Sequence, residues 1–304
     1  GTAPQPVSGH ELATRLSYFL WSSMPDAELS AAAASGRLAE SGGIVSQARR
    51  MLAAPAARRL AEEFGTQWLH VHGFAELDEK NAELFPTFAA LRADMEEETI
   101  RFLDDFFRND RSILSLRVTA GTVQILRGNW LYEVILGEKL PKPPKDVPQL
   151  ADTVPAGSSE RALIALHSSA AACAVCHRRI DPFGFALEGF DAIGRRRAVD
   201  ASGHPIDVRS ELPDGTAIDG DSGLRAYLLG PRRDRFVRVF CRRLLGYALG
   251  RAVQLSDEPL LDDMVARLAA ADYSVWVAIE AIVTSPQFRS IRGRDADDES
   301  DGHP

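Results

Sequence analysis

The sequence predicts a mainly α protein of more than one domain. Three observations carry this. Apolar residues recur at three- and four-residue spacing over most of the chain. A proline-rich break at 138–160 separates two such regions. Strand-like character is confined to one stretch near 198–222, rich in Gly, Pro and Asp, that fits a short hairpin. A length of 304 residues agrees with about two domains.

The elements follow in order. Ser8-Gly9-His10-Glu11 fits a capping box, and Leu12, Leu16, Phe19 and Leu20 then fall on one helical face. Ser23-Met24-Pro25-Asp26 reads as a stop and a new start, with Pro25 suited to a first helical turn. Leu60, Phe64 and Trp68 mark a further helix. The longest periodic stretch runs from Pro86 to Asn109, with Phe88, Leu91, Met95, Phe102 and Phe106 on one side. Its acidic face (Asp94, Glu96, Glu97, Glu98, Asp104, Asp105) reads as solvated rather than metal-binding. These elements make a helical domain over 1–137. The linker 138–160 contains five prolines: Pro141, Pro143, Pro144, Pro148 and Pro155.

A second domain over 161–230 opens with a helix near 159–169. A third, over 231–290, is helical and is expected to pack on the second. Phe236, Val239, Phe240, Leu244, Tyr247 and Ala248 trace one face, and Gly250 is a stop. Ser256-Asp257-Glu258-Pro259 starts a helix that buries Leu260, Leu261, Met264, Val265 and Leu268. A last helix near 274–284 buries Trp276, Ile279, Ile282 and Val283. The acidic tail 291–304 has nothing to bury and reads as disordered.

Composition narrows the function. The 35 basic and 43 acidic side chains leave a net charge of −8, against a generic nucleic-acid binder. No apolar run reaches the roughly 18 residues of a transmembrane helix. Three cysteines cannot form a disulfide framework. The chain starts Gly-Thr-Ala-Pro with no signal-peptide pattern, so we expect a removed leader or a piece of a longer chain.

The chemistry is concentrated at Cys173-Ala174-Val175-Cys176-His177, a C-x-x-C-H string of the kind that attaches c-type haem. The two thiols add to the porphyrin vinyl groups. The adjacent histidine then offers an imidazole nitrogen to iron. Two other readings remain. A thioredoxin-like C-x-x-C belongs at a strand-to-helix turn, and the Ala-rich stretch before Cys173 has no strand pattern. A zinc site needs a fourth ligand, for which Cys241 is the candidate; otherwise Cys241 is a small buried side chain.

Cys173 to Arg197 reads CAVCHRRIDPFGFALEGFDAIGRRR. This segment resembles the haem-binding part of large bacterial c-type cytochromes, abundant in planctomycetes and myxobacteria and mostly described as domains of unknown function. Four more segments carry the resemblance: His10 to Leu29, Arg127 to Leu131, Arg243 to Arg251 (RLLGYALGR) and Ile282 to Phe288. It covers most of 8–290 and implies a helical domain, a cytochrome c-like haem domain and a short helical C-terminal domain. There are departures. Members are usually longer and often carry a second haem. The chain is shortened between Asp110 and Gly121. Ile180 stands where methionine is frequent.

His177 is the expected axial ligand of a single covalent haem c. The sixth ligand is open between His167, which matches a histidine of the family, and Met264, which core packing also explains. His204, in a Gly-Pro loop, is a weaker candidate. Pro182 and Gly184 are expected to end the haem helix, and Phe183 and Phe185 to cover the porphyrin. Glu188, Asp191 and Arg195 are expected in a buried ion network near it. Seven arginines between 232 and 251 stand against one acid, Asp234. One or two, with Tyr247, suit the haem propionates; the rest suit a solvated face or a docking patch for an acidic redox partner.

The leading reading is a single-haem electron carrier, or the electron-transfer part of an oxidoreductase. The alternatives are a haem enzyme of peroxidase or oxygenase type, or the cytochrome part of a dehydrogenase, and a surface binding module wired by haem. Covalent haem attachment outside the bacterial cytoplasm implies a periplasmic or cell-surface location.

Overall fold

Residues 3–77, 80–116, 124–142 and 157–291 are described by the computed structural model. These are mainly helical, and their strands form two short antiparallel pairs. Most of the proline-rich linker (143–156), part of the shortened stretch (117–123) and the tail from 292 lie outside the described residues.

The chain forms two compact units. The first comprises Gly1–Lys80, Ala89–Leu116 and Phe240–Pro304; the second comprises Asn81–Phe88 and Arg117–Val239. These divisions fall elsewhere than the composition breaks at 137/138 and 230/231. The reason lies in the first unit, whose N-terminal helices share a core with the C-terminal ones. Ile113 N–H donates to the Tyr273 carbonyl (2.9 Å) and Val275 N–H to that of Arg111 (3.2 Å). At the surface beside this core Arg49 pairs with Glu280 at 2.5 Å. Local composition carries no trace of such long-range closure.

In the first unit, helix Gly9–Trp21 starts where the Ser8 hydroxyl accepts from Glu11 N–H (3.1 Å). The reciprocal half of the capping box is replaced, because the Glu11 carboxylate pairs with Arg15 at 2.7 Å. Helix Ala27–Ala34 is capped by Asp26, which accepts from Leu29 N–H at 2.8 Å, so Pro25 precedes the cap instead of entering the first turn. Helices Ser41–Ala53, Phe88–Arg108, Glu258–Ala270 and Val275–Thr284 complete the bundle. The stretch holding Leu60, Phe64 and Trp68 is helical but contains a π-turn at Ala61–Gly65. Phe64 is the centre of an aromatic cluster with Trp68, Phe107, Phe240 and Tyr247.

The second unit is built on two helices, Gln124–Trp130 and Ala171–Ala186. They meet at Gly128. A β-carbon there would lie 2.1 Å from the Ile180 carbonyl oxygen, so only glycine allows this approach. The expected stop at Pro182 and Gly184 does not occur: the helix continues to Ala186 with Pro182 inside it. Proline costs one backbone hydrogen bond there. The Pro182 carbonyl accepts from the Ser210 hydroxyl (2.8 Å), and the small Gly184 lies beside Gly128. Tertiary packing thus carries the helix through its own breakers.

The expected hairpin is present as Arg209–Glu211 paired with Ala217–Asp219, turning at Gly215 with φ 82°. Two arginines of the expected cationic patch are structural. Arg235 donates to the Leu136 and Gly137 carbonyls (2.6 and 2.8 Å), and Arg232 pairs with Glu138 at 2.8 Å. Both tie down the end of the π-turn Leu131–Ile135.

Candidate haem site

The motif lies in the first two turns of helix Ala171–Ala186, after a tight turn at 168–170. Spacings of three and four residues put Cys173, Cys176 and His177 on one side of this helix. Cys173 is buried, Cys176 half-buried, and both thiols are free of disulfides.

His177 is fixed by the next turn. Its Nδ1 lies 2.9 and 3.1 Å from the two carboxylate oxygens of Asp181, four residues on. A carboxylate only accepts, so Nδ1 is the donor, and the neutral ring then presents the Nε2 lone pair. The side chains of His177 and Asp181 are 12% and 7% exposed, so water competes little for this bond. Burial raises the Asp181 carboxyl above its ordinary value, opposed by the hydrogen bonds it accepts from His177 and Ser168.

His177 and Asp181 open onto a cavity of about 600 Å³. Its other walls come from Arg161 and Ser168, from Pro182 and Phe185 of the motif helix, and from 210–213 of the hairpin. Arg178 also lines it. The Arg161 guanidinium lies 4.0 Å over the Phe185 ring and donates to the Asp207 and Arg209 carbonyls. This is a space of mixed polarity, where Phe185, Leu212 and two prolines stand beside the cations Arg161 and Arg178, the carboxylates of Asp181 and Glu211, and the His177 imidazole. Among the described residues, no group of three or more His, Cys, Asp or Glu is arranged to hold a metal ion, so the zinc reading finds no ligand set. The residue types present fit haem, with imidazole for the iron and guanidinium for the carboxylates; Cys173 and Cys176, the thiols for the vinyl groups, lie on the same helix within about a turn of His177 and are not among the residues lining this cavity.

The other expected site residues are placed as follows. His167 is brought to His177, the rings 5.0 Å apart and nearly perpendicular, because the turn at 168–170 folds helix Glu160–His167 back. Phe185 lines the cavity, whereas Phe183 is core, 6.2 Å from the Tyr227 ring. Arg195 is 54% exposed and turned to Asp191 at 2.7 Å. Tyr247 belongs to the first unit, with its hydroxyl 3.3 Å from that of Ser22. Met264 is fully buried in the core of the first unit, and so is Cys241. His204 lies in a loop held by Asp200.

The expected ion network exists with different partners. Glu188 is 3% exposed and faces Arg197 at 3.6 Å, and Arg197 also meets Glu160 at 3.2 Å. Arg127, fully buried, donates to the Leu187 and Phe190 carbonyls (2.7 and 2.9 Å) that end the motif helix. Burial lowers Arg127 to about 10 and raises Glu188 to about 7. Asp181, Arg161 and the hairpin wall are the groups that sequence reasoning missed. Only Asp181 left a signal, its four-residue offset from His177.

Three family models match the chain in succession, each described as a protein of unknown function: DUF1592 over residues 7–125, DUF1588 over 111–200 and DUF1585 over 214–288. They are planctomycete-type domains associated with cytochrome c-like multidomain proteins. The motif helix and most of the cavity's walls fall in the second. No curated protein and no solved structure matches the chain.

Proposed function

We propose that a chain assembled from these three cytochrome-associated domains is a c-type cytochrome that carries electrons on one covalent haem. The observation that carries this reading is the state of the motif: two unpaired thiols and an adjacent imidazole held by its Nδ1, beside a cavity with cationic edges. Cys173 and Cys176 form the thioether links and His177 offers Nε2 to iron. Phe185 covers the ring, and Arg161 and Arg178 pair with its carboxylates. Haem bound there supplies a one-electron iron couple. The protein's part is to orient the ligand, exclude water and neutralise the propionates. Because haem is attached to such motifs outside the bacterial cytoplasm, we infer a periplasmic or cell-surface location for the mature protein and a redox protein as partner.

The test is expression with a periplasmic cytochrome c maturation system, followed by intact-mass measurement. One added haem, resistant to acid–acetone extraction and lost in Cys173→Ala/Cys176→Ala, is expected. Extractable haem, or bound zinc, overturns the assignment.

A further inference from the structure

We infer that Asp181 is a positioning residue for the axial imidazole, lowering the reduction potential of iron held at His177. The inference rests on the haem reading and adds a role for a residue outside the C-x-x-C-H string.

The geometry is specific. Both Asp181 oxygens lie within 3.1 Å of His177 Nδ1, so the ring is held in one orientation with Nε2 outward. Donor and acceptor share one helix at four-residue spacing, so the rigid backbone sets their separation. A carboxylate at 7% exposure would normally be matched to a guanidinium or kept out of the core. Here its neighbours are the imidazoles of His177 and His167 and the Ser168 hydroxyl. A hydrogen bond from a metal-ligating histidine to a carboxylate fixes the tautomer and raises the basicity of the ligating nitrogen. Extra electron density at that nitrogen favours ferric over ferrous iron. The negative charge beside the ring acts in the same direction, and the largely water-free surroundings screen it weakly. Both effects lower the potential.

Asp181→Asn tests this without deleting the side chain, since the amide can still accept from Nδ1 without the charge. Wild type, Asp181→Asn and Asp181→Glu are matured with haem, checked for covalent attachment by mass, and titrated by optical spectroelectrochemistry. At a fixed ambient potential the ferrous-to-ferric ratio of Asp181→Asn should rise at least tenfold, an upward shift of about 59 mV for one electron. Asp181→Glu, which keeps the charge, should lie between the two. Equal midpoints for wild type and Asp181→Asn, with haem covalently present in both, overturn the role of Asp181. Absence of covalent haem from the wild type overturns the haem reading, and this inference with it.

Discussion

Replacing Glu188 by glutamine is expected to stabilise the protein at pH 8 and leave it nearly unchanged at pH 4.5. Glu188 is 3% exposed, its Oε2 has no hydrogen-bond partner, and its nearest cation, Arg197, is 3.6 Å from Oε1. Burial therefore dominates and raises its carboxyl from 4.5 to about 7. Between those values the native state holds a proton that the unfolded chain has released. Stability accordingly falls as pH rises through this window and is level above it. Integrated over the window, the loss is roughly 3 kcal/mol at about 1.4 kcal/mol per pH unit. Glutamine has no such dependence, so its advantage grows from nothing near pH 4.5 towards that figure by pH 8. The buried Arg127 and the half-buried Arg197 lose a counter-charge in the variant, which makes roughly 3 kcal/mol an upper bound. The assay is urea unfolding of the mature protein between pH 4.5 and 8, followed by far-UV circular dichroism. Parallel pH profiles for the two proteins, or a less stable variant at pH 8, would refute the argument.

Gly128→Ala should destabilise the second unit by about 3 kcal/mol, at the top of the usual overpacking range. Its β-carbon would stand 2.1 Å from the Ile180 carbonyl oxygen and 2.8 Å from its carbon, so two backbones must part by roughly 1 Å; the thermal midpoint and the yield of mature haem protein should both fall, and an unchanged midpoint would contradict the close approach. For the haem proposed above, His167→Ala should leave the low-spin band of the visible spectrum in place, because the His167 and His177 rings are only 5.0 Å apart and in edge contact, too close for a porphyrin between them; loss of the band would show that the two rings part to make His167 the sixth ligand. Met264→Ala should leave that spectrum unaltered while costing about 2–5 kcal/mol of stability, since Met264 is a fully buried core side chain. A spectral change in Met264→Ala alone would instead make Met264 that ligand.

Helix positions were legible from the chain because amphipathic spacing and end chemistry are local. Ser8, Asp26 and Ser159 each accept the backbone N–H that their place before an apolar run demands. The C-x-x-C-H string was legible for the same reason, its chemistry residing in residues one helical turn apart. Pro182 shows where local reasoning stops. A breaker by propensity, it lies within a helix because Ser210 and the Gly128 contact stabilise the continued turn. Arg195 and Phe183 lie close to the motif in sequence, yet one faces Asp191 in solvent and the other the core. The cation that does reach the cavity is Arg161, brought there by the fold-back at 168–170 and by the hairpin carbonyls that anchor it. Such pairings depend on how segments far apart in the chain come together, and no residue spacing encodes that. The identity of the candidate haem ligands is a property of a short string, whereas the walls and charges around them, and the burial of the Asp181 hydrogen bond, arise from packing.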